Sequence, residues 1–227
     1  MLVAAVVGSG IMGTLLSTDD AVILILNMLS TVAALGVLIW MLGPISGAHF
    51  NPAVTGVALV RREIPVREGG AYVVAQVAGA LAGVALANIM FDLPAWDPST
   101  NQRTGLPIWI GEIVATAGLL LLIGALTRTG RGSLGPILVP AWIGSAYFFT
   151  SSTSFANPAV TIGRSLTDSF TGIDPADVLP FIVFQLIGAA IGAGLTEVLY
   201  PRRRPEPLDL PGPVHEVAPR PGDRTGS

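Results

Sequence analysis

The pentapeptide Asn-Pro-Ala-Val-Thr occurs twice in this chain, at residues 51–55 and again at 157–161. A second pair of related segments lies at residues 72–79 and 181–188, each with a glutamine at the same place, Gln76 and Gln185. The first pair is 106 residues apart and the second is 109 residues apart. Because the two spacings are nearly equal, the sequence predicts one unit that has been duplicated within the chain.

The surroundings of these motifs are those of a membrane protein. Hydrophobic residues make up 51% of the sequence, charged residues 12%, and the mean hydropathy is +0.67. Apolar runs long enough to cross a bilayer as helices, about 20 residues each, lie at 21–42, 70–91, 107–126, 133–150 and 178–200, with a shorter run at 2–16. The chain has no cysteine, which excludes disulfides, thiolate catalysis and cysteine-ligated metal sites.

Three spans in each copy make the repeat inverted, because the second copy enters the membrane from the opposite face. Asparagine is a favoured N-cap and proline suits the first helical position, so each motif predicts the start of a helix. Segments 51–60 and 157–166 cover only about 15 Å each, half of the hydrocarbon core. We therefore expect two re-entrant half-helices that meet at the bilayer centre, preceded by segments whose carbonyls face a watery cavity. These segments are Gly47, Ala48 and His49, and Thr153, Ser154 and Phe155. A single isolated copy of the motif would indicate no more than an ordinary surface helix.

Charged residues predict the orientation. Arginines cluster at 61–67, 128–131 and 202–204, which lie on one side if six segments cross, and the other side is mainly acidic. The positive-inside rule then makes this a multi-pass protein of the cell membrane with both termini cytoplasmic. We expect a channel domain at 1–200, with repeats at about 1–91 and 107–200, and a disordered cytoplasmic tail at 201–227. The short first run suggests a helix that begins upstream of Met1 or has lost its opening turns.

Together, these residues resemble the aquaporin, or major intrinsic protein, family. The resemblance rests on the two boxes, on the paired glutamines and on Glu112 in the fourth span, and covers about residues 1–200. It implies an all-α membrane protein with six transmembrane helices, two half-helices and a pore in each protomer of a homotetramer. It implies no cofactor, metal or nucleic acid, and small neutral solutes and the lipid bilayer as partners. The residues of the two boxes are Asn51, Pro52, Ala53, Asn157, Pro158 and Ala159.

One departure from the family pattern bears on function. An arginine usually follows the second box and helps to form a narrow filter, but this chain has Val160 there. The family's spacing assigns the other filter positions to Thr31, Ser145 and Ser154. A filter of three hydroxyls and a valine predicts passage of glycerol, urea or metalloid acids such as arsenite. The valine after the second box also resembles the bacterial branch of the family that is associated with arsenic compounds. A water-selective pore is the alternative.

Three further side chains have two interpretations each. Arg164 lies one helical turn beyond Val160, so it either bends back over the filter or pairs with Asp168 on the outer rim. His49 either braces its loop or lines the pore. Glu112 is either part of a proton relay or, as we favour, a structural group that holds the loop before the second half-helix.

Other classes of function fit less well. An ion-coupled secondary transporter also uses inverted repeats, but it needs coupling groups at the midplane, where only Glu112 and His49 are available. A membrane enzyme would need a nucleophile and base or a carboxylate pair that these spans do not offer. A non-conducting junction protein on the same scaffold remains an alternative.

Overall fold

The computed structural model describes residues 1–202, and the tail expected beyond residue 200 lies almost wholly outside this part. The described residues form eight α-helices and one short 3-10 helix at Gly132–Leu134. The α-helices are α1 (Leu2–Leu16), α2 (Asp20–Ser46), α3 (Pro52–Val60), α4 (Val66–Met90), α5 (Leu106–Arg128), α6 (Gly135–Phe149), α7 (Pro158–Arg164) and α8 (Pro175–Leu199). The predicted all-α class is confirmed.

Local capping chemistry sets several of these boundaries. The Asp19 carboxylate accepts backbone N–H bonds from Ala21 and Val22 at the start of α2, and the Asp174 carboxylate accepts one from Ala176 at the start of α8. Gly47 ends α2 in the left-handed conformation, with φ of 72°, which costs glycine little. The helices α2, α3, α7 and α8 thus begin where the sequence supplies a side-chain acceptor, and α2 ends at a glycine.

The packing of the helices repeats itself between the two halves. In the first half α1 packs on α2 and α4, and in the second α5 packs on α6 and α8. The half-helix α3 contacts α4 and α8, whereas α7 contacts α8 and α4, and α3 and α7 touch each other. This is the pairing that an inverted duplication requires, because each half-helix is held by the last span of both copies.

Helix lengths match the membrane for most of the expected spans. Five segments in the described part of the chain are long and apolar enough to cross a bilayer: α2, α4, α5, α8, and α6 together with the 3-10 turn before it. The remaining helix, α1, has 15 residues and is shorter than a span needs. It nevertheless packs on α2, α4 and α7 and so completes the first half of the fold.

Glycines allow the closest helix contact. A Cβ atom on Gly188 would lie 2.5 Å from the carbonyl oxygen of Ile113, and one on Gly192 would lie 2.2 Å from that of Ala117. These backbone approaches hold α8 against α5. In the first copy Gly83 packs in the same way on α1, but a Cβ on Gly79 would meet nothing within 4 Å.

Candidate pore and selectivity site

The two asparagines of the repeated motif cap their own half-helices and cross-link the opposite ones. Asn51 Oδ1 accepts from the Ala53 N–H at 2.9 Å, and Asn157 Oδ1 accepts from the Ala159 N–H at 3.0 Å. Asn51 Nδ2 donates to the Ala156 carbonyl at 2.7 Å, and Asn157 Nδ2 donates to the Phe50 carbonyl at 2.9 Å. The N-termini of α3 and α7 are therefore tied together, and their two partial positive charges are brought close.

Backbone geometry before the two motifs is also matched. Ala48 and Phe50 have φ of 49°, and Ser154 and Ala156, at the corresponding positions of the second copy, have φ of 54° and 47°. Thr153 adds a further value of 58°. Left-handed backbone at non-glycine residues costs about 1–3 kcal/mol each and persists only where the surroundings hold it. The loops are thus shaped by the fold rather than by local preference.

Two glutamines donate hydrogen bonds to the threonines that are the last residues of the two motifs. Gln76 Nε2 donates to Thr55 Oγ1 at 3.0 Å, and Gln185 Nε2 donates to Thr161 Oγ1 at 2.9 Å. These bonds connect α4 to α3 and α8 to α7 at equivalent places. The glutamine pair found in the sequence therefore anchors the half-helices to the long spans beside them.

Glu112 holds the second loop directly. Its Oε1 accepts from the Phe155 N–H at 2.9 Å, and its Oε2 accepts from the Ala156 N–H at 2.9 Å and from Gln185 Nε2 at 2.6 Å. The side chain is fully buried. With both oxygens bonded to loop and span, this geometry fits the structural role expected for Glu112 rather than a proton relay.

A cavity of about 660 Å³ runs along the half-helices. Both motif asparagines line it, as do Thr31, Ser154 and Val160 among the residues assigned to the filter. Gly47, Ala48, His49 and Phe155 also line it, whereas Thr153 lines a separate cavity of about 300 Å³ that Asp20, Asn27 and Arg164 share. The structure thus brings most of the expected pore residues to one continuous space.

Ser145 does not line this cavity, so the filter position that the spacing assigns to it is wrong. It lies on the exposed side of α6, whereas Ile143 and Tyr147 on the opposite side line the cavity. The Tyr147 hydroxyl lies 3.5 Å from Thr31 Oγ1. Residues two apart on a helix point about 200° away from one another, so an offset of two residues in the spacing moves the assignment to the opposite face of α6.

The hydroxyl of Ser154 belongs to a residue that lines the larger cavity. It is buried and has no hydrogen-bond partner in residues 1–202. A buried hydroxyl without a partner is unfavourable by about 1–3 kcal/mol.

Arg164 turns toward the pore and not toward the rim. Its side chain is 3% exposed, its Nε donates to the Thr171 carbonyl, and its Cζ lies 3.4 Å from the centroid of the Phe155 ring. The alternative pair with Asp168 is wrong, because the salt bridges within residues 1–202 do not include one between Arg164 and Asp168. Asp168 accepts from the backbone N–H of Thr100 at 2.9 Å and from its hydroxyl at 3.1 Å. Arg164 lines both cavities.

His49 is held by neighbouring side chains and also lines the pore. Its Nδ1 lies 3.1 Å from Thr55 Oγ1, and its ring meets that of Tyr72 edge to face at 5.5 Å. The same residue lines the larger cavity. In residues 1–202 no group of His, Asp and Glu is arranged to hold a metal ion.

Two residues of this site, Tyr147 and Arg103, are not predicted from the sequence. Tyr147 lies in an apolar span whose faces look alike in the sequence. Arg103, from the loop between α4 and α5, approaches the Phe155 ring with its Cζ 5.2 Å from the centroid. In the sequence, the only indication of a role for Arg103 is that it is one of two arginines on an otherwise acidic side of the membrane.

Comparisons with known proteins agree with this geometry. A family model described as "Major intrinsic protein" matches residues 1–156. The chain is 50% identical to aquaglyceroporin AqpS of Rhizobium meliloti (strain 1021) over 205 residues, which cover 90% of this chain and 88% of that protein. It is 33% identical to human aquaporin-2 over 175 residues, covering 74% of this chain but only 64% of that relative.

One solved structure extends the comparison to the fold. The X-ray structure of the aquaglyceroporin from Plasmodium falciparum superposes with a TM-score of 0.58 at 20% identity, covering 88% of this chain and 90% of that one. At this identity the likeness concerns the arrangement of the helices alone.

Proposed function

This chain belongs to the major intrinsic protein family of membrane channels, and from that premise we propose that it carries small uncharged solutes by facilitated diffusion. The solutes are water together with glycerol, urea or metalloid acids such as arsenite. The family consists of channels and not of enzymes. AqpS, at 50% identity, is called an aquaglyceroporin, which supports solutes larger than water.

The observation that carries the proposal is that Val160 and Ser154 both line the cavity and that the Ser154 hydroxyl has no partner within residues 1–202. A valine occupies less space than an arginine and adds no charge, so the filter that we assign to Thr31, Ser154 and Val160 is wide and partly apolar. Hydroxyls on that wall pair with the hydroxyls or amides of a passing solute. A pore of this kind selects by diameter and by hydrogen-bonding groups.

The two motifs form the second selective region in this proposal. Each asparagine uses one amide N–H for the loop opposite, which leaves the second N–H of the same group for solute or water. The N-termini of α3 and α7 add positive potential at the same place, which disfavours cations and protons. Gly47, Ala48, His49, Thr153, Ser154 and Phe155 supply the backbone of the two loops that lead to it.

We further propose the assembly and orientation implied by the sequence. Exposed apolar side chains on the long helices, such as Trp40, Val74 and Leu186, suit contact with lipid or with other protomers of a homotetramer. Arg61 and Arg128 lie on the side that we assign to the cytoplasm, together with both termini. The channel domain corresponds to residues 1–200 in this proposal.

Proteoliposomes under an osmotic gradient test the proposal. Vesicles that contain the purified protein are shrunk with glycerol, urea or arsenite, and re-swelling is followed by light scattering. We expect rapid re-swelling with the wild type and a loss of at least tenfold with Val160→Arg, while water permeability is largely retained. The arginine fills the space beside Ser154 and narrows the filter.

A matched control adds the same charge elsewhere. Val66 is 80% exposed at the start of α4, so Val66→Arg should transport like the wild type. If the wild type passes water but neither glycerol, urea nor arsenite, the water-selective alternative is correct and the wide filter is wrong. If Val160→Arg passes glycerol as fast as the wild type, Val160 does not determine the solute.

A further inference from the structure

We propose that Arg103 is a second selectivity residue and that, together with Arg164, it forms a split cation barrier at the outer mouth of the pore. The two guanidinium groups approach one aromatic ring, that of Phe155, from different segments of the chain. This inference rests on the proposed channel function, because it concerns what the same pore excludes. It assigns to two residues the charge that the chain lacks at position 160.

Arg164 is the inner member of the pair. Its guanidinium packs on Phe155, and its Nε is bonded to the Thr171 carbonyl. In the described part of the chain, Nη1 and Nη2 have no hydrogen-bond acceptor. The residue lines both the cavity of about 660 Å³, which we call the pore cavity, and the cavity of about 300 Å³, which we call the outer cavity. A solute that moves from one cavity to the other therefore passes beside these donors.

Arg103 is the outer member and is held at three points. Its Nε donates to the Gly172 carbonyl at 2.7 Å, its Nη2 donates to the Phe170 carbonyl at 3.1 Å, and its backbone N–H donates to Asp177 Oδ2 at 2.7 Å. It lines the outer cavity beside Arg164. Because these bonds fix the guanidinium, Arg103 does not swing freely into solvent as a loop arginine usually does.

The loop that carries Arg103 is bonded along its length to the loop after α7. The backbone N–H of Asp97 donates to the Leu166 carbonyl and that of Ser99 to the Ser165 carbonyl, both at 3.0 Å. Asn101 Nδ2 donates to the Ser169 carbonyl at 2.6 Å, and the Asp174 N–H returns a bond to the Asn101 carbonyl at 2.8 Å. The position of Arg103 over the pore is thus a built feature of the outer surface.

Neither arginine is neutralised by a carboxylate. Within residues 1–202 the salt bridges are those of Arg61 and Arg128 to Glu197, on the opposite face of the protein. Asp20 lines the outer cavity and Asp177 bonds the backbone of Arg103, but neither lies within salt-bridge distance of a guanidinium. The side-chain hydrogen bonds of both arginines go to neutral carbonyls, so both positive charges act on the solute path.

The expected effect is large for cations and small for neutral solutes. At about 6 Å and an effective dielectric constant of about 20, one unit charge disfavours a passing cation by roughly a hundredfold. Two such charges act together on a cation, whereas glycerol carries no charge to repel. Val160 therefore widens the pore without opening it to ions.

Cation leak and glycerol flux, measured on the same proteoliposomes, test the inference. The variants are Arg103→Gln, Arg164→Gln, the double variant and Arg103→Lys, each checked for a monodisperse gel-filtration profile. Arg67→Gln is the control, since Arg67 is exposed at the start of α4. We expect Arg103→Gln and Arg164→Gln each to raise sodium leak at least tenfold, and the double variant to raise it further. Arg103→Lys keeps the charge and should stay close to the wild type.

Three results would overturn the inference. The first is a sodium leak in Arg103→Gln no greater than in Arg67→Gln. The second is a double variant that leaks no more than Arg164→Gln alone. The third is a leak in Arg103→Lys equal to that in Arg103→Gln, which would make loop structure rather than charge the cause. Failure of the wild type to conduct glycerol would instead count against the proposed function, and the sodium measurement separates the two.

Discussion

Replacing Glu112 with glutamine tests how the second half-helix is held. The carboxylate accepts three hydrogen bonds, one on Oε1 and two on Oε2, all in a fully buried place. Glutamine has nearly the same shape, but one oxygen becomes an NH₂ group that cannot accept. If the amide oxygen takes the place of Oε2, two bonds are kept and the N–H of Phe155 loses its acceptor.

The expected loss of stability follows from the number of hydrogen bonds that each substitution removes. One buried donor left without a partner is unfavourable by about 1–3 kcal/mol. For a protein of this length, that lowers the unfolding midpoint by about 2–4 °C per kcal/mol. Glu112→Ala leaves three donors without acceptors and should cost about three times as much. The neighbouring Gln185 gives no relief, because turning its amide would remove its bond to Thr161.

Thermal unfolding in detergent micelles measures the change in the unfolding midpoint of the Glu112 variants. Glycerol flux in proteoliposomes is the second readout. Glu63→Gln is the control, because Glu63 is exposed after α3. We expect the order of stability to be the control, then Glu112→Gln, then Glu112→Ala, with flux falling in the same order as the loop before α7 loosens. Equal unfolding midpoints for the control and Glu112→Ala would refute this account of the loop.

Two further predictions concern the helix contacts and the caps. Gly192→Ala should destabilise the protein by about 1–3 kcal/mol, because its Cβ would lie 2.2 Å from the Ala117 carbonyl oxygen of α5. Gly194→Ala, two residues along, meets nothing within 4 Å and should leave the midpoint unchanged or slightly raised, so equal losses in both would contradict the packing argument. Asn157→Ala should cost about 1–2 kcal/mol, because α7 loses its cap and the Phe50 carbonyl loses a donor; an unchanged midpoint together with wild-type water flux would show that the cross-link is dispensable.

The sequence predicted those features that depend on local chemistry. Asparagine caps a helix and proline begins one wherever they occur, so Asn51 and Asn157 marked the starts of α3 and α7 without any tertiary information. Long apolar runs predicted the spans because the membrane demands their length. The repeat then indicated the inverted arrangement, and the paired boxes identified the family.

The tertiary structure alone decided which side chains face the pore. In a membrane span both lipid and protein interior are apolar, so composition does not reveal the inward face of α6. Ser145 was therefore assigned to the filter by spacing, although Tyr147 is the residue that lines the cavity. Arg103 lies 61 residues before Arg164 in the sequence, and only the bonds between two surface loops bring both to Phe155. Local signals determine where helices start, but rotation within the membrane and contacts between distant loops require the folded chain.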